Sequence, residues 1–300
     1  MQGDETPKIG YHAIRLGSWN LARQFGTSSL PSHAQRAGGQ QFWCFRGQAN
    51  ASWGLQTTLE REGKRHECPP EFYAEREWRI LDEFRRRSHL HGDSQPAGLN
   101  NIEWLALIQH HGGPTRLLDF TYSFYVACFF ALESAVDDAA VWAVNLSELR
   151  RAFVRRDGLQ EIQHPVVFSK WALMQCIDAL ERGSADRAVV LVEPYQMSER
   201  LAAQQGLFLF PLNIALPFEK NLAAILELPP GCFAETSTRD YDDGDDLPFE
   251  TIFHKVLKIV LPREIRKHAM KDLRQMNITS ASLFPGLDGF ARSLRWYLTP

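Results

Sequence analysis

Two short segments concentrate the residues that can do chemistry. In the first, Arg46 follows the aromatic Phe45 and precedes Gly47. A guanidinium there can clamp a phosphate bidentately, as the diphosphate of a dinucleotide requires, and a glycine lets a ligand or a backbone approach closely. The same arginine is equally suited to pair with a carboxylate such as Asp119. In the second segment His111, Gly112, Gly113, Pro114, Thr115 and Arg116 run on into Leu117, Leu118, Asp119, Phe120 and Thr121. Its glycines and backbone amides can form an anion-binding nest, and His111 can act as a general base or hydrogen-bond a ribose hydroxyl. The competing reading is a helix C-terminus, with glycine in the left-handed position and histidine over the last carbonyls.

Asp119 sits between Leu118 and Phe120, where an unpaired carboxylate is costly, so it needs a partner such as Arg46, Arg116 or a helix N-terminus. Asp119 or Thr121 is expected to cap the apolar helix that follows. A nuclease reading would pair His111 with Asp119. The arginines at 85 to 87 and at 150, 151, 155 and 156 alternate with acidic residues or fall on helical faces, which describes solvated surface and gives no strong nucleic-acid signal. No metal site is expected, because His-Glu-x-x-His and clustered Cys/His spacings are absent and the acidic run Asp240 to Asp246 lacks the glycine and glutamate placement of a calcium loop. That run reads as a mobile, solvated loop.

The elements that must position these groups follow from periodicity. Ser18 to Phe25 reads as a helix and Gly26 to Gln40 as a loop; Gln41 to Phe45 reads as a short buried strand. Pro69 and Pro70 precede a helix to about Leu90, and Ile102 to His110 form a helix that Gly112, Gly113 and Pro114 end. Tyr125 to Val136 is a buried helix, while Ala140 to Asn145, Ala188 to Glu193 and Phe253 to Leu261 have strand composition. Gln196 to Gln205 is expected to be helical and Gly206 to Phe210 extended; a helix from Glu264 to Met276 and another after Pro285 close the chain. The rhythm is irregular and unrepeated, which predicts an α+β fold: a single domain with a mixed, largely antiparallel sheet flanked by helices. Residues 1–39 are assigned to an N-terminal helix and loop and 40–300 to the main domain.

With 44% hydrophobic residues, 19 Phe and 8 Trp in 300 residues, the chain can bury a large aromatic core. A net charge of −3 supplies no general attraction to nucleic acid or anionic membrane. No apolar run reaches bilayer length and the polar first residues do not resemble a signal peptide, so a cytoplasmic location with no membrane partner is expected. The five cysteines are scattered and read as reduced core residues.

Three stretches resemble the FRG-domain family: Phe42-Trp-Cys-Phe-Arg-Gly-Gln48, then Gln109 to Thr121 leading into Ala127-Cys-Phe-Phe-Ala131, and Leu283-Phe-Pro-Gly-Leu-Asp-Gly289. Arg200 to Phe208 is a weaker fourth. The family is mainly bacterial and phage-associated, which implies a defence or toxin setting. A more distant resemblance is to ADP-ribosyltransferases, which carry an aromatic-Arg-Gly on a first core strand and a Ser- or Thr-bearing strand leading into a helix. The resemblance implies NAD as cofactor, with Arg46, Gly47, Thr115, Arg116 and Thr121 binding it, His111 and Gln204 as catalytic residues, and Asp119 and Arg200 in support. Transferases of that type use a late glutamate to stabilise an oxocarbenium-like transition state, where this chain offers Gln204 and Gln205. The alternative is a non-catalytic module recognising a ligand or protein partner through the same residues.

Overall fold

Strands form where short apolar, β-branched or aromatic runs meet turn residues, and here eight of them join one sheet. In the computed structural model, residues 12–29, 43–91, 98–158, 165–229, 233, 238–246 and 254–298 are described. Chain order is β1 (His12–Leu16), α1 (Trp19–Gln24), β2 (Trp43–Gln48), α2 (Thr58–Arg65), α3 (Tyr73–Arg87) and α4 (Asn101–His110). It continues with β3 (Leu118–Thr121), α5 (Phe124–Leu132), β4 (Ala139–Asn145), α6 (Leu146–Asp157), α7 (Pro165–Arg182) and β5 (Val189–Val192). Then come α8 (Glu199–Ala203), β6 (Gly206–Pro211), α9 (Phe218–Ile225), β7 (Thr238–Tyr241), β8 (Val256–Leu261), α10 (Arg266–Gln275), α11 (Ser280–Leu283) and α12 (Leu287–Ser293).

The strand order is β5-β6-β3-β2-β4-β8-β1-β7. β1 pairs in parallel with β7 and β8, and every other neighbouring pair is antiparallel. The fold is therefore α+β, a mixed and largely antiparallel sheet between helices. Successive residues of β2 point to opposite faces. Cys44 joins the core under α3, α4, α6, α7 and α9, whereas Trp43 and Phe45 join the core under α1, α5 and α10. Arg46 continues the Cys44 side, and Gly47 the side of α5. A Cβ on Gly47 would collide with the carbonyl oxygen of Ala127 and stand 2.6 Å from the amide nitrogen of Ala131. The glycine is thus required by the close approach of α5.

Several expected boundaries move. The apolar helix ends at Leu132, and its N-cap is Ser123, whose hydroxyl accepts the Val126 amide. Asp119 and Thr121 are instead part of β3. The helix expected from Gln196 shortens to α8 because Ser198 caps it. Asp240 lies in β7, and residues 242–246 are exposed, as expected of a solvated loop, with Ser18 Oγ donating to Asp243 at 2.5 Å and the Asp242 amide to Asp245 at 2.8 Å. Most of the Gly26–Gln40 segment, and Cys232, lie outside the described residues. Cys44, Cys128 and Cys176 are buried free thiols, and Cys68 is half-buried. No helix among the described residues is long and apolar enough to cross a membrane.

Candidate functional site

A cavity of about 970 Å³ opens where the ends of β2 and β3 meet α4, α8 and the C-terminal helices. Four arginines line it, Arg46, Arg61, Arg200 and Arg292, against three carboxylates, Asp119, Glu103 and Glu133. β2 delivers Arg46 and β3, its antiparallel neighbour, delivers Asp119. Arg46 Nη1 donates to the Asp119 carbonyl at 2.8 Å and stands 3.8 Å from the Asp119 carboxylate. Its Nε is buried and has no hydrogen-bond partner among the described residues. Burial pushes the Arg46 pKa down; Asp119 raises it and Arg61 lowers it again. A guanidinium in this condition gains from any anion that reaches it.

The charges form an ordered row. Arg61 repels Arg46, Arg46 faces Asp119, Asp119 also attracts Arg200, and Arg292 repels Arg200. Burial is the largest cause of the lowered Arg200 pKa. Arg200 Nη1 donates to the His110 carbonyl at 3.2 Å. The Phe284 ring lies 4.7 Å from the guanidinium carbons of both Arg200 and Arg292. Arg292 grips Glu133 through two bonds, at 2.8 and 2.5 Å, so that pair is internally neutralised. Glu103 is occupied as well: it completes the capping box of α4 and accepts the Gln196 amide.

The segment from His111 to Asp119 is mostly scaffold. Gly112, at φ +82°, ends α4, with the Gly113 amide donating back to Ile108 at 2.9 Å. His111 is exposed at this C-cap and does not line the cavity; His110 does. Burial lowers the His110 pKa, and Arg200 and His111 lower it further. Thr115 Oγ1 donates to Gln109 Oε1 at 2.7 Å, and Gln109 Nε2 donates to Asp119 Oδ2 at 2.7 Å. Thr115 is therefore outside the lining but fixes the residue that holds Asp119. Arg116 is also outside it, buried against Glu77 through Nε at 2.6 Å and through Nη2. The pairing of His111 with Asp119 that a nuclease reading needs is not present; Asp119 is held by Gln109 and Arg46.

Thr121 and Gln204 both line the cavity but spend side-chain polar groups on backbone carbonyls. Thr121 Oγ1 donates to the Gln204 carbonyl at 2.7 Å, and Gln204 Nε2 donates to the Leu283 carbonyl at 3.0 Å. The cavity thus gathers Arg46, Gly47, Asp119, Thr121, Arg200 and Gln204, and leaves His111, Thr115 and Arg116 out of its lining. Lining residues that the sequence did not single out are His110, Gln109, Trp53, Arg61 and Arg292. For His110 a signal existed: Glu103, Ala106, Leu107 and His110 fall at positions i, i+3, i+4 and i+7 of α4, one face of that helix. Among the described residues, no group of three or more His, Cys, Asp or Glu is placed to hold a metal ion.

Neither the curated proteins nor the solved structures contain a match to this chain. A family model does match: residues 41–140 fit that of the FRG domain, the segment that carries Arg46, Gly47 and Asp119. Residues 41–140, one third of the chain, are therefore similar to the FRG domain.

Proposed function

We propose that the cavity binds a nucleotide through its phosphates, with NAD as the ligand of an ADP-ribosyltransferase-like or NAD glycohydrolase activity. The observation that carries this reading is Arg46: a guanidinium in a cavity wall, one amino group fixed on a strand carbonyl, its Nε buried without a partner among the described residues and its carboxylate neighbour held off at 3.8 Å. Arg46 and Arg61 take the diphosphate. Asp119 is the lining carboxylate least consumed by other partners, with its side chain 52% exposed. It accepts ribose hydroxyls and faces the sugar as positive charge develops there, the part a late glutamate plays in transferases. Cleavage breaks the bond between the ribose C1′ and the nicotinamide nitrogen; the bonding pair leaves with neutral nicotinamide. Water or an acceptor nucleophile forms the new bond to C1′ and gives up a proton, which neutral His110 accepts. A defence or toxin setting belongs to this proposal.

A second reading, recognition of the nucleotide or of a protein partner without turnover, is favoured by one observation. Glu103 and Glu133 are engaged in a helix cap and an arginine pair, and Gln204, in the cavity lining, carries no charge. Calorimetric titration with NAD and ADP tests the site, and nicotinamide release tests turnover. Both nucleotides are expected to bind, with Arg46→Ala weakening them about ten- to a hundredfold, the worth of charge-assisted hydrogen bonds. Absence of binding by either nucleotide overturns the nucleotide site. Binding without nicotinamide release, in the presence of candidate acceptor proteins, selects the second reading.

A further inference from the structure

Trp53 is a lining residue with its side chain in the open: the residue is 54% exposed. Among the described residues its ring has no aromatic or cationic neighbour and its indole N–H no acceptor. Yet the segment that carries it is held firmly on both sides. Asn50 Oδ1 accepts the Ser52 amide at 2.8 Å and the Ser52 hydroxyl at 2.6 Å, and the Asn50 carbonyl accepts the Trp53 amide at 3.2 Å. The Ala51 amide donates to the Asp138 carbonyl at 2.7 Å. Beyond Trp53, Gln48 Nε2 donates to the Gly54 carbonyl at 2.9 Å and the Leu55 amide to Glu219 at 2.7 Å. Gln48 is itself fixed by the Trp142 indole at 2.9 Å. Every one of these bonds uses backbone or a neighbouring side chain. The indole is thus positioned by the loop without being used to build it.

The location of uncompensated charge adds a second, independent constraint. At the Phe284 end of the row, Arg292 is neutralised by Glu133 and both guanidiniums lie over one ring. At the other end, Arg61, in α2, is exposed, and among the described residues its guanidinium donates to the Gln56 carbonyl alone, at 2.6 Å. Its charge is felt by Arg46. An aromatic platform and two guanidiniums, Arg46 of β2 and Arg61 of α2, therefore line the β2–α2 side of one cavity. A flat π face beside two guanidiniums selects a ligand in which a planar ring is joined by a short linker to more than one phosphate.

Building on the nucleotide-site reading, we propose that Trp53 is the stacking platform for the base of a nucleoside diphosphate whose phosphates lie against Arg46 and Arg61. The test compares ADP with inorganic pyrophosphate, titrated calorimetrically into the full chain and into Trp53→Ala, Trp53→Phe and Arg46→Ala. Because Trp53 is exposed and its loop is pinned by other groups, the alanine variant is expected to fold; its circular dichroism and melting curve check this. Trp53→Ala should weaken ADP about tenfold or more, as removal of a stacking partner does. Pyrophosphate should bind that variant as it binds the wild type, and Trp53→Phe should keep most of the ADP affinity. Arg46→Ala should weaken both ligands. Unchanged ADP affinity in Trp53→Ala, beside a loss in Arg46→Ala, overturns the Trp53 assignment alone. Failure of wild type to bind either ligand overturns the nucleotide site and this assignment with it.

Discussion

Arg46 and Arg116 are two guanidiniums from the two chemically suggestive motifs, and the protein treats them in opposite ways. Arg116 is 2% exposed and Glu77, which meets it, is fully buried. The same carboxylate also accepts the Arg116 backbone amide at 3.1 Å, and the guanidinium lies 4.9 Å from the Phe210 ring. Arg46 keeps 18% of its side chain exposed, and its nearest carboxylate is itself half in solvent. One arginine ties α3 to the strand that enters the site; the other is left short of partners at the cavity. A buried charge with its counterion built in serves architecture, whereas a cavity-facing charge with a distant, half-solvated counterion is what the proposed ligand site requires.

The largest effect expected is on the architectural pair. Glu77→Ala leaves Arg116 buried without its carboxylate, which costs about 3–5 kcal/mol. Urea unfolding should show the loss, and a double variant that also replaces Arg116 by Met should recover much of it. A recovery no better than the single variant would mean that Glu77 stabilises through its backbone bond rather than through the charge pair.

Gly47→Ala should come next. The added methyl meets backbone atoms of α5 rather than a flexible side chain, and overpacking of this kind costs about 1–3 kcal/mol. If the melting temperature is unchanged and only nucleotide affinity falls, the glycine serves the ligand and not the helix. Arg46→Ala inverts the pattern. It removes one hydrogen bond to a strand carbonyl, about 0.5–1.5 kcal/mol, while also removing a desolvated charge, so stability should move by less than about 1 kcal/mol as ligand binding is lost. Destabilisation as large as that of Glu77→Ala would erase the distinction between the two arginines.

How far these roles were legible in the sequence depends on the range of the physics involved. β2, α3, α4, α5, β4 and β6 announce themselves through local periodicity and breakers. β1 and β7 do not, because β1 is five residues long and β7 reads Thr-Arg-Asp-Tyr, three of them exposed. Their identity as strands comes from pairing more than two hundred residues apart in the chain. β3 was hidden by Asp119, a polar residue in the middle of an apolar strand, placed there because it faces the cavity. Arg46 and Asp119 were legible as a potential pair. The burial of Arg116 was not, since its partner Glu77 sits on an amphipathic helix among other acidic residues with nothing local to distinguish it. Trp53 and Arg61 were unmarked for the same reason: a cavity is formed by elements that sequence order separates.

The smallest expected effect concerns pH and the loop that carries Trp53. Glu60 accepts the Thr57 and Phe218 amides, and Glu219 accepts the Leu55 amide. Burial is the first cause that holds both carboxyls above their ordinary range, and their mutual repulsion adds to it for Glu219. The folded protein therefore keeps protons that the unfolded chain has already released. Between the ordinary carboxyl pKa and the raised one, the native state binds more protons, so the contribution of these groups to stability falls as pH rises and grows on acidification. Glu219→Gln removes one of the two titrations. Thermal melts from neutral pH down to the ordinary carboxyl range should show a flatter dependence in that variant than in the wild type. A dependence as steep as the wild type's would mean that Glu219 contributes nothing to the linkage, leaving the loop pinned by its hydrogen bond alone.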